Sequence, residues 1–109
     1  MHEVKAFVRP EVLERVIQEL HTIEDLPGLT LSTVRGHGRW HGREPSGVSF
    51  GDVAMVKLET VVPDELLPRV LDAIQRTAAT GRSGDGKVFV LPVESALKIR
   101  SGEVGPEVL

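Results

Sequence analysis

The run Thr80-Gly81-Arg82-Ser83-Gly84-Asp85-Gly86-Lys87-Val88-Phe89-Val90 crowds three glycines, an aspartate and a lysine ahead of an apolar stretch. Glycines let a backbone approach a ligand closely and turn its N–H groups inward. The lysine adds a mobile positive charge. A phosphate group needs both. The spacing is not that of a P-loop, which has two glycines flanking four residues, then Lys-Ser/Thr and a helix. Here a helix-like segment precedes the glycines and a strand-like one follows. The plainer alternative is an ordinary tight turn, because Asp-Gly is a common turn pair.

Three further groups carry chemistry. Gly36-His37-Gly38-Arg39-Trp40-His41 joins two glycines to a cation, and Arg35, Arg39 and Arg43 make its surroundings positive. A phosphate, a bicarbonate ion or an acidic partner surface would suit that charge, as would plain solvation. His37 and His41 stand four apart, with Glu44 or Asp52 as candidate third ligands. The intervening glycine argues against a helix that would align them, so solvated histidines are expected and no metal site is assigned. Trp40 either stacks on a ligand or anchors a partner, or it packs at the base of its loop. Lys98 and Arg100 form the last pair of cations. On a terminal segment such charges are ordinarily solvated.

The elements that must position these groups repeat one theme. Residues 4–9 alternate like a strand, and Pro10 opens a helical pattern over residues 11–24. Residues 29–34 read as the next strand. Residues 56–62 alternate again, and Pro63-Asp64 opens a second helix carrying Leu66, Leu67, Val70, Leu71 and Ile74. Pro68 must lie in its first turn. Residues 87–93 form a last strand. The order β-α-β, β-α-β predicts an α+β, ferredoxin-like βαββαβ sandwich, an antiparallel sheet with both helices on one face. The bare face then needs cover, which subunit association supplies. Residues 36–52 are glycine-rich and polar, and read as a long functional loop. Residues 94–100 suggest a helical turn that brings Lys98 and Arg100 together, and residues 102–109 a frayed tail.

Composition sets the bounds. With 109 residues one domain is expected, and 40% apolar residues suffice for a modest core. A net charge of −3 gives the whole chain no nucleic-acid footprint. The absence of cysteine excludes disulfides, thiol catalysis and cysteine-ligated metal. The N-terminus lacks an apolar signal core, so a cytoplasmic setting is expected.

Together these pieces resemble the PII signal-transduction family over about residues 3–104. The resemblance is carried by residues 76–90, by Lys98-Ile99-Arg100-Ser101-Gly102-Glu103, by Val61-Val62-Pro63-Asp64 and by Gly36-His37-Gly38-Arg39. It implies a homotrimer that binds ATP or ADP in clefts between subunits, with Mg²⁺ left open. It implies a single domain with a T-loop at 37–54, a B-loop at 81–87 and a C-terminal segment at 94–109. Gly36, His37, Gly38 and Arg39 would meet the phosphates, with Gly84, Asp85, Gly86 and Lys87 as the phosphate-binding B-loop on the same wall. Lys98 and Arg100 would reach in from the neighbouring subunit. Thr30, Glu59 and Val61 would lie near adenine and ribose, and Phe7 would line the pocket. Trp40, His41 and Arg43 fall in the loop that would engage a regulated target, such as a membrane transporter.

The chain departs from the family pattern at several points. The T-loop is shorter than in typical nitrogen-regulatory members, and no tyrosine is available for uridylylation. Trp40 replaces the glutamine that helps hold Mg-ATP and 2-oxoglutarate. Met55 replaces a lysine that contacts 2-oxoglutarate. These changes speak against 2-oxoglutarate sensing and leave bicarbonate as a possible small effector. Two other readings stay open on the residues. One is a slow nucleotide phosphohydrolase, with Asp85 or Glu59 positioning water. The other is a trimeric metal-response protein using His37, His41 and Glu44. Neither a metal-binding carboxylate pair nor a general base beside a nucleophile is visible, so a non-enzymatic regulator is expected.

Overall fold

In a computed structural model the described residues are 1–41 and 48–109, with side chains described for 1–37 and 53–109. Strand β1 spans His2–Val8, and its alternation buries Val4, Ala6 and Val8 on one face. Helix α1, Leu13–Leu20, follows a 3₁₀ turn at Pro10–Val12. Strands β2 (Thr30–His41) and β3 (Val48–Val62) pair directly. A second 3₁₀ turn, Asp64–Leu66, leads into α2, Leu67–Ala78. Pro68 sits in the first turn of α2, where its missing N–H would have had no intrahelical acceptor. Strand β4 is Gly86–Pro92. The sheet order is β2-β3-β1-β4, and every neighbour is antiparallel. This is the expected ferredoxin-like arrangement.

The core lies between the sheet and the two helices. Val4, Ala6, Val8, Val56, Leu58 and Val62 project from the sheet. Val12, Val16, Leu20, Val70, Ala73 and Ile74 meet them from the helical layer. Two buried threonines are satisfied: Thr77 Oγ1 donates to the Ala73 carbonyl at 2.7 Å, and Thr60 Oγ1 to the Gly28 carbonyl at 3.1 Å. Arg15 Nε donates to the Thr77 carbonyl at 2.7 Å, tying α1 to the last turn of α2.

The opposite sheet face is open in the single chain. Strand register sets Lys5 between Glu59 and Phe89, and Phe7 between Lys57 and Lys87. Lys57 Nζ lies 3.4 Å from the Glu59 carboxylate.

Three expectations are corrected. Helix α1 ends at Leu20 rather than Glu24. The chain then turns through 3₁₀-type bonds and a left-handed Asp25 (φ 63°), while Ile23 remains in the core. The expected loop at 36–52 includes the arms of a β-ribbon, with Gly36 facing Val53 and His41 facing Val48. Ladder hydrogen bonds need no apolar alternation, so a ribbon away from the core leaves little periodic signal. Residues 94–100 form no helical turn, and residues 102–109 are not a frayed tail. A bridge between Leu97 and Val104 closes a small hairpin, and a 3₁₀ turn follows at Pro106–Val108.

Candidate functional site

The glycine-rich segment leaves α2 at Ala78 and enters β4 at Gly86. Asp85 organises it. Its Oδ2 accepts from the backbone N–H groups of Thr80 (2.7 Å) and Gly81 (3.0 Å). Its Oδ1 accepts from Thr80 Oγ1 (2.5 Å) and Arg9 Nε (3.0 Å). Arg9 also donates through Nη2 to the Ser83 carbonyl at 2.6 Å. These bonds, led by those from Thr80, hold the Asp85 carboxyl well below the usual carboxylate range against the opposing effect of burial. The carboxylate is thus engaged within the turn and balanced by Arg9.

Three glycines take left-handed φ in this turn: Gly81 (81°), Gly84 (91°) and Gly86 (105°). Gly86 is the most constrained, because a Cβ there would collide with the Phe7 carbonyl of the adjoining strand. Gly36 is different. A Cβ would meet the Val53 carbonyl oxygen at 3.6 Å and Met55 Cγ at 3.8 Å, both ordinary contacts.

The turn forms one side of a cavity of about 640 Å³. Of the residues expected at the site, Phe7, Gly36, His37, Gly84, Asp85, Gly86 and Lys87 line it together. Val34, Val53, Met55 and Phe89 add apolar surface, and Phe7 meets Phe89 edge to face at 6.3 Å between centroids. Arg35, Arg82 and Lys87 bring positive charge. A glycine-rich turn, cations and apolar walls suit an anion attached to an apolar body.

Thr30, Glu59 and Val61 lie elsewhere, in a second cavity of about 420 Å³. Glu3, Pro27, Gly28, Thr60 and Leu109 complete it. A hydrogen bond with Glu3 and the charges of Lys57 and Lys5 hold the Glu59 carboxyl below its ordinary range, against desolvation. Lys98 and Arg100 line neither cavity of the single chain. Lys98 is fixed by its backbone, its N–H donating to the Glu103 carbonyl and its carbonyl accepting from the Gly102 N–H, both at 2.8 Å. Gly38, Arg39, Trp40 and His41 are placed by backbone in β2. Their side chains, and Arg43 and Glu44, lie outside the described residues, as does the Asp52 side chain. Among the described residues no group of His, Asp and Glu could hold a metal ion.

Sequence reasoning missed Arg9, Thr80, Phe89, Arg82 and Leu109 as parts of these sites. Thr80, Arg82 and Phe89 lay in or beside the quoted motif. Arg9 pairs with a residue 76 positions away, and nothing local announces that contact.

Comparison with known proteins gives a consistent answer. The family model "Nitrogen regulatory protein P-II" matches residues 1–103. The P-II protein of Azospirillum brasilense is 37% identical over 113 residues, covering 100% of each chain. That of Haemophilus influenzae is 42% identical, covering 94% of this chain and 95% of its own. The solved B. subtilis GlnK–ATP complex superposes with a TM-score of 0.85 at 33% identity, covering 99% of this chain and 94% of that one. Fold, matched length and identity agree, and the chain belongs to the P-II nitrogen regulatory protein family, whose members are trimeric, non-enzymatic signal transducers that regulate target proteins.

Proposed function

We propose that this chain is a trimeric regulator that binds ATP or ADP between subunits and uses the nucleotide to set the conformation of the 37–54 loop. The cavity built on the glycine turn carries the reading. It sets Gly84 and Gly86 beside the cations Lys87 and Arg82, a combination suited to phosphates. Asp85, the one carboxylate that lines it among the described residues, is already engaged by Arg9 and the turn. The related B. subtilis GlnK binds ATP.

Both cavities include residues of the open sheet face. Subunit packing would cover that face and join the first cavity of one chain to the second of its neighbour. Phosphates then lie against Gly36, Gly38, Arg39 and residues 84–87. Base and ribose lie against Thr30, Glu59 and Val61 across the contact, with Lys98 and Arg100 from that neighbour closing on the phosphates. A loop ordered or released by the γ-phosphate acts on a target through its differential affinity for the two loop states. A membrane transporter is a suitable target, with Trp40, His41 and Arg43 in the engaging loop. Met55, with Val34 and Val53, makes one wall apolar. That disfavours 2-oxoglutarate as the second effector and leaves a smaller anion such as bicarbonate.

Calorimetry of the assembled protein with ATP, ADP and AMP tests the reading. Lys87→Ala removes a charge-assisted contact, so ATP affinity should fall by about ten- to a hundredfold, or roughly 1.5–3 kcal/mol. Absence of binding by the wild type at millimolar nucleotide would refute the proposal. Unchanged affinity in Lys87→Ala would refute the phosphate assignment.

A further inference from the structure

We infer that the C-terminal tail is a working wall of the base half-site, with Leu109 a specificity-determining contact for the nucleotide's purine; this rests on the nucleotide reading above.

Leu109 is partly buried and lines the same cavity as Thr30, Glu59 and Val61. Its placement is built. The Gly105 N–H donates to the Ala96 carbonyl at 3.0 Å, anchoring the tail to the C-terminal hairpin. The 3₁₀ turn then folds the chain back, with Val108 N–H donating to the Gly105 carbonyl and Leu109 N–H to the Pro106 carbonyl, each at 3.2 Å. Gly105 turns with φ 123°, and a Cβ there would come within 2.6 Å of the Glu107 carboxylate. The Glu107 carboxylate is a flexible end that can move aside, but that φ strains any side chain placed at 105 and so disfavours the observed tail path.

The cavity keeps about 420 Å³ with the tail in place. That lies within the size range of small-molecule sites, roughly 300–1,000 Å³. The tail is accordingly a wall and not a plug. Glu3, Thr30 and Glu59 supply polar groups suited to ribose and the edge of a base. A purine also has two apolar faces, which need apolar cover. Pro27, Val61 and Leu109 are the residues here that offer it. The tail thereby favours a nucleotide over a bare polyphosphate, which would use the glycine turn alone.

The test is calorimetry of the assembled wild type, Leu109→Ser and Gly105→Val with ATP and with inorganic tripolyphosphate. Gly105→Val keeps Leu109 in the chain but strains the backbone on which the tail's path depends. Loss of one partly buried leucine contact predicts about a tenfold weaker ATP affinity in both variants. Tripolyphosphate affinity should not change. Equal or tighter ATP binding by the variants, or equal weakening of both ligands, would overturn the inference. If the wild type binds ATP and Leu109→Ser binds it equally, this inference fails alone. If the wild type binds no ATP, it falls together with the nucleotide reading.

Discussion

Asp85 is the residue on which the glycine turn depends. Its carboxylate gathers Thr80, Gly81 and Arg9, so the turn's shape is set by bonds within the chain before any ligand arrives. A preshaped turn spares the ligand the ordering cost of a mobile loop. The depressed pKa of Asp85 has a pH signature. A carboxylate bound more tightly in the folded state adds stability above its unfolded pKa, near 3.8. That contribution disappears as pH falls through the ordinary carboxylate range toward the lowered folded value. Asp85→Asn should therefore lower the thermal midpoint at pH 7, and the gap from wild type should shrink as pH falls below about 4. Denaturation curves at pH 7, 5 and 3 measure it. A gap independent of pH would show that the charge of Asp85 does not hold the turn. The glycine turn at residues 84–87 is legible in the sequence, whereas the self-engaged role of Asp85 is not. That role needs Arg9, and only the pairing of β1 with β4 brings Arg9 alongside.

The pairing of elements explains which glycines the fold demands. Strand β4 enters the sheet at Gly86, opposite Val8, and passes too close to the Phe7 carbonyl for any side chain. Gly36, within β2, has ordinary room. Gly86→Ala should cost at least about 1–2 kcal/mol from its backbone conformation alone, with the collision added. Gly36→Ala should fold like the wild type and show its effect only in ligand affinity. Urea unfolding of the two variants separates these cases; equal stability of Gly86→Ala and wild type would contradict the strand-entry geometry. Strand β1 and both helices could be read from periodicity, because each packs one face on a core; β4 sets only Val88 against it and was legible from its apolar run. The arms of the 36–52 ribbon could not, being held by backbone ladder bonds among glycines and polar residues. The C-terminal hairpin escaped for a similar reason, since it is closed by one bridge and two glycines of positive φ.

At the scale of the whole molecule, the single chain carries the candidate site as two separate halves. Residues 84–87 with Gly36 form one cavity, and Thr30, Glu59 and Val61 form another. The open sheet face carries Lys5, Lys57 and Glu59 at partial exposure, with Lys57 and Glu59 paired at 3.4 Å. In the proposed trimer the two cavities would meet across a subunit contact, and the site would exist only in the assembled state. Family resemblance leads one to expect both groups at one site; the fold places them in separate cavities of the single chain. The most direct test is a structure of the assembled protein with ATP bound. The account predicts phosphates on Gly84, Gly86 and Lys87 of one subunit, with the base against Thr30, Glu59 and Val61 of its neighbour. ATP held wholly within one subunit, or bound away from residues 84–87, would contradict it.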